Sequence, residues 1–211
     1  MRRAALILGL VLLGASVWSA FGLFDEAGFT GHMIVHMAIV VVVAPLMAFG
    51  LAGSRLDVTQ DKAWLAPLPM SLVELVTVWF WHAPAIRAAA DRSAVVGVIE
   101  IVTFLVAGLL LWLASIGASR TRSLEKRLSG VVALLLTSMH MTLLGVLLTM
   151  APRPLYGTGP ATCFGFVLSP EQDQQVGGVV MLLLGAVAYL VGGLALFGSV
   201  MRGRPQTEAM R

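Results

Sequence analysis

Apolar residues gather into six long runs along this chain, separated by short stretches that carry nearly all of the charge. The runs cover about 4–23, 31–52, 67–86, 94–117, 129–151 and 175–201. Each is close to the ~20 residues that a helix needs to cross a bilayer. The third is the least regular, because Pro67, Pro69 and Pro84 frame it and Glu74 lies inside it. The pattern predicts an all-α integral membrane protein, one domain built as a bundle of about six transmembrane helices. The longest connection, 152–174, shows no secondary-structure signal, and a loop of that length is often functional or a lid. Ser169 or Asp173 is placed to cap the sixth helix. Within that helix Gly178, Gly185, Gly192 and Ser199 recur every seven residues, a seam that lets membrane helices approach closely.

Composition agrees and adds an orientation. Hydrophobic residues make up 58% of the chain and charged residues 12%, against about 25% charged in a soluble domain; the mean hydropathy is +0.91. If the N-terminus is cytoplasmic, the inner side collects Arg2, Arg3, Arg55, Lys62, Arg120, Arg122, Lys126, Arg127, Arg202, Arg204 and Arg211. The outer side then holds Arg87, Arg92 and Arg153. Basic residues concentrate on the cytoplasmic side of membrane proteins, so both termini are expected there, in a multi-pass membrane protein. Segment one reads as a retained anchor. The alternative is a signal peptide beginning at Arg2-Arg3, and either way Asp25 and Glu26 fall outside. The net charge of +3 belongs to topology, since no basic stretch is interleaved with aromatics as a nucleic-acid surface requires. Cys163 is the one cysteine, which excludes an intramolecular disulfide and a cysteine-rich metal site.

The chemistry concentrates at the head of the second run, Gly31-His32-Met33-Ile34-Val35-His36-Met37. Residues four apart share a helix face, so His32 and His36 stack one turn apart, with Met33 and Met37 as a stripe beside them. Imidazole and thioether ligands suit copper, above all Cu(I). His82 is expected near the outer end of segment three. His140 lies ten residues before the end of segment five, about 15 Å deep at ~1.5 Å per residue. All four histidines therefore fall in the outer half of the membrane or at its middle. Glu74 and Glu100 are the carboxylates well inside spans. Glu100, expected level with His36, is the better ligand or orienting group; Glu74 suits packing or proton handling. The candidate metal set is His32, His36, His82, His140, Met33, Met37 and Glu100. The competing readings are interfacial histidines bonded to loop carbonyls and methionines as core filler. A b-type haem held between helices, for example by His36 and His140, is a further alternative. No phosphate-binding loop or nucleophile elbow is present, so catalysis is not expected.

Four motifs in order carry a resemblance. They are Gly31 to Met37 leading to Ala44-Pro45, Trp81-His82-Ala83-Pro84-Ala85-Ile86, Ala151-Pro152-Arg153-Pro154-Leu155-Tyr156, and Ser169-Pro170-Glu171-Gln172-Asp173 running on to Gly178. Together they resemble the CtaG-like family of multi-spanning cytochrome c oxidase assembly factors associated with caa-type oxidases. The resemblance implies a respiratory-chain assembly factor that handles copper like a chaperone. Its implied partners are oxidase subunits and a periplasmic copper donor. It also implies about seven spans and a His-x-x-Glu-His element. This chain has Gly97-Val98-Ile99-Glu100-Ile101 at those positions, keeping the acid and lacking both imidazoles. A reduced site, or a metal-free scaffold, is the corresponding expectation.

Overall fold

The computed structural model describes residues 1–22, 28–59, 62–119, 123–157, 159–163 and 165–202. Asp25, Glu26, Arg120, Arg122, Arg204 and Arg211, all part of the charge asymmetry, lie outside the described residues. The chain runs α1 (Arg2–Gly22), α2 (Gly28–Met37), a π-helical stretch (Ala38–Val43) and α3 (Ala44–Leu51). It continues with α4 (Pro67–Trp81), α5 (Pro84–Arg92), α6 (Ala94–Ser119), α7 (Leu124–Met150), strands β1 (Ala161–Cys163) and β2 (Phe166–Leu168), and α8 (Pro170–Arg202). Among the described residues five helical segments are long and apolar enough to cross a membrane, α2 through α3 counting as one, and α4 is a shorter apolar helix.

The third expected span is therefore divided. Pro84 has no N–H to offer, and the residue before a proline is driven into extended backbone. Ala83 accordingly sits at φ −65°, ψ 126°. Helix α4 stops with His82 as its C-terminal cap, and α5 starts with Pro84 in its first turn. The second expected span is continuous but widened: Ala44 donates its N–H five residues back, to the Ile39 carbonyl. The following Pro45 lacks the N–H that a regular ladder would need. The 152–174 connection also carries structure. Strands β1 and β2 form an antiparallel hairpin that pairs Ala161 with Leu168 and Cys163 with Phe166, and Gly165 takes φ +82° in its turn.

Helices α7 and α8 form the tightest pair. A Cβ on Gly178 would lie 2.5 Å from Thr149 Oγ1, and one on Gly185 3.2 Å from Met141 Cβ. A Cβ on Gly192 would lie 2.7 Å from the Trp112 ring of α6. At the fourth position of the seam, Arg127 donates to the carbonyl and hydroxyl of Ser199. The seven-residue seam is thus a packing surface. Helix α1 docks on α3 where Gly9 meets Met47 and Gly50 meets Leu6. Large apolar residues such as Leu72, Val76, Val95, Leu183 and Val187 remain exposed around the bundle, as lipid contact requires, while the helices satisfy their own backbone groups.

Candidate functional site

The site begins where α2 begins. Asp173, in the first turn of α8, accepts the N–H groups of Phe29 (2.7 Å) and Thr30 (2.9 Å), and its carbonyl accepts from the Thr30 hydroxyl (2.8 Å). A carboxylate on free N-terminal amides is a strong cap, but it caps α2, whereas the sequence suggested its own helix. Ser169 caps α8 instead: its hydroxyl accepts from Gln172 N, and Gln172 Oε1 accepts from Ser169 N, a capping box. Gly28 makes the approach possible. It sits at φ +59°, and a Cβ there would be 2.4 Å from Asp173 Oδ2. This tie holds the histidine-bearing turn of α2 in place.

Three of the four histidines then gather. The His32 and His36 ring centroids are 6.3 Å apart, and those of His36 and His82 5.5 Å. His36, 2% exposed, stacks on Phe104 of α6 at 3.7 Å. His82 Nδ1 lies 2.6 Å from the Val78 carbonyl. A carbonyl only accepts, so Nδ1 carries the proton and the lone pair is left on Nε2. That Nε2 has no partner, and neither nitrogen of His36 has one. The Tyr156 hydroxyl donates to the His82 carbonyl at 2.6 Å and so fixes the end of α4; burial pushes this phenol up to about 12.

Glu100, expected as a ligand or an orienting group, is held between Arg87 and His32. Arg87 Nη1 donates to both its oxygens, at 2.8 and 2.6 Å, and His32 Nε2 stands 3.2 Å from Oε1. Glu100 is thus level with His32, one turn outward of His36, whose depth is set by Phe104. Arg87 is also held by Asp91, at 3.1 Å from Nε and 2.6 Å from Nη2. Against the opposing effect of burial, Glu100 and Asp91 keep its guanidinium above the ordinary value, hence permanently charged. Sequence reasoning registered Arg87 only as an outer charge. Its one local signal was Asp91 four residues on, the spacing of a helical ion pair.

These groups line a cavity of about 740 Å³ that includes His32, His36, Arg87, Asp91, Glu100, Tyr156 and Asp173. Gly97 and Ile101, where the resemblance expects imidazoles, line it too. His82 lies beside His36. Met33 faces the other way, with its Cγ 3.2 Å from where a Gly177 Cβ would be, and both Met33 and Met37 are fully buried. His140 is buried on α7 with both nitrogens unpartnered, but it makes no ring contact with the other three. Cys163 is buried in the hairpin. Burial, then Asp173, raises its thiol above the ordinary value, which disfavours the ligating thiolate. Among the described residues no group of three or more His, Cys, Asp or Glu side chains is arranged to hold a metal ion.

The fold and site together define a polytopic helical membrane protein with a histidine-lined cavity at one end. Residues 1–203 match the family described as cytochrome c oxidase caa3 assembly factor (Caa3_CtaG). The chain belongs to that family. No curated protein and no solved structure matches it.

Proposed function

We propose that this assembly factor holds copper transiently, as Cu(I), between His36 and His82, and passes it to an oxidase subunit. The observation that carries the reading is the set of three unpartnered nitrogens on two adjacent buried imidazoles. A buried polar group left without a partner costs about 1–3 kcal/mol, and a soft cation relieves that cost. At ~2.0 Å per metal–nitrogen bond, two imidazoles on one ion have ring centroids roughly 5–6 Å apart; His36 and His82 are at 5.5 Å. The Val78 carbonyl orients His82 as carbonyls and carboxylates orient ligating histidines elsewhere. Cavity carboxylates of Asp91, Glu100 and Asp173 outnumber the Arg87 cation, which favours a positive cargo. Two nitrogens make an open site, suited to handing an ion on, with a further ligand supplied by the donor or recipient. With the charge asymmetry setting topology, the cavity faces the periplasm and a periplasmic donor.

The test is metal content and a visible spectrum on detergent-purified protein. Cu(I) is expected to bind stoichiometrically and without colour, and to be lost in His36→Ala and His82→Ala while both variants keep wild-type thermal unfolding. Protein that ignores copper at every ratio would refute the metal half and leave a scaffold. An intense Soret band would replace copper with haem.

A further inference from the structure

The middle of the bundle holds a second polar cluster that the histidine cavity does not use. Glu74 of α4 is 1% exposed. The Tyr189 hydroxyl of α8 donates to its Oε1, and Oε2 has no partner. Trp112 of α6 stacks on Tyr189 at 5.4 Å, with its indole N–H unpartnered. Gly108 of α6 makes room: a Cβ there would be 3.7 Å from Glu74 Oε1 and 3.3 Å from Ala44 Cβ. No cation forms an ion pair with Glu74 among the described residues. The Tyr189 phenol is the titratable group bonded to it, and His140 on α7, like Glu74 on α4, lies three residues past the Ser71–Thr137 bond. An ionised carboxylate without a counter-ion is very costly in such surroundings.

The surroundings of Glu74 are asymmetric. One helical turn toward the histidines come Val78, Val40 and Phe104, all apolar and at most 2% exposed. In the opposite direction Ser71 lies on the same face of α4 and bonds Thr137 of α7 at 2.9 Å. Two turns beyond Gly108, the buried Ser115 hydroxyl is unpartnered. Hydroxyls next to orphaned donors and acceptors are where buried water resides, and a hydroxyl both donates and accepts. An apolar plug thus faces the cavity, and the hydroxyls lie toward the end of α6 where a Cβ on Gly117 would be 3.7 Å from Thr59 Oγ1.

We propose that Glu74 is a proton-exchange site, with Tyr189 holding its carboxyl and the Ser71, Thr137 and Ser115 hydroxyls supplying it from the Thr59 side. Exchange replaces the carboxyl O–H by another O–H through water and leaves the charge unchanged. The class of ligand is a proton delivered by water, independent of any metal at the histidines.

Infrared difference spectra of purified protein against Glu74→Gln isolate the acid carbonyl band. The band should be present at neutral pH, shift within the dead time of transfer to D2O, and move in Tyr189→Phe as one hydrogen bond is lost. Ser71→Ala/Thr137→Val should slow the D2O shift at least tenfold and leave the band in place. Dicyclohexylcarbodiimide, an apolar reagent for protonated carboxyls, should label Glu74 by mass spectrometry. Absence of the acid band, or a band unmoved in D2O after hours, would overturn the proposal, as would exchange unaffected by the Ser71/Thr137 change. A size-exclusion profile matching wild type confirms that each variant is folded.

Discussion

Replacing Arg87 by Met is the sharpest test of the charge network above the histidines. Arg87 is 8% exposed and Glu100 2%, so the pair lies almost wholly out of water. Met keeps the bulk of the stem and removes the guanidinium, leaving the Glu100 carboxylate with only His32 Nε2 at 3.2 Å. Breaking a buried pair from one side costs about 3–5 kcal/mol, because a buried charge is left uncompensated. Glu100→Gln should cost less, roughly 2 kcal/mol, since Arg87 keeps Asp91, whose side chain is 61% exposed and hydrated. Removing both charges at once abolishes the stranded carboxylate, so the double variant should be more stable than Arg87→Met alone. The assay is reversible unfolding of detergent-solubilised protein in a double-mutant cycle, which isolates the pairwise coupling. A loss below about 1 kcal/mol in Arg87→Met would show that Glu100 is not an uncompensated buried charge there. Strict additivity of the two changes would equally refute the reasoning.

The cap on α2 makes a second prediction: Asp173→Ala removes two charge-assisted bonds and should cost about 3 kcal/mol, with faster amide exchange at Phe29 and Thr30. Asp173→Asn, which retains one acceptor oxygen, should cost less in the same unfolding assay. Gly28→Ala should destabilise by well over 1 kcal/mol, since it combines left-handed φ with a 2.4 Å overlap on Asp173. Gly178→Val should exceed the about 1–3 kcal/mol of ordinary overpacking, because a Cβ is already 2.9 Å from the Thr149 backbone nitrogen; thermal unfolding checks both. Tyr156 holds its proton to about pH 12 when folded, against about 10 when unfolded. The folded state therefore binds more protons between those values, and stability falls as pH rises through them. Tyr156→Phe should remove that part of the slope in alkaline unfolding curves.

The sequence by itself determined the long apolar helices, while the third expected span broke at Pro84. Crossing a bilayer demands an uninterrupted apolar run of about 20 residues, and that demand is written locally, residue by residue. The same holds for the His32–His36 spacing and the small-residue seam of α8, each readable from helical periodicity alone. It could not say which polar group meets which. Asp173 reaches back 144 positions to cap α2. Arg87, seemingly a loop charge, folds onto Glu100 and pairs with it beside His32. His36 and His82 came together and His140 did not, although all three sit in comparable apolar surroundings. Only tertiary structure decides such pairings, because a buried polar group takes whatever partner the packing of distant helices brings within hydrogen-bond reach.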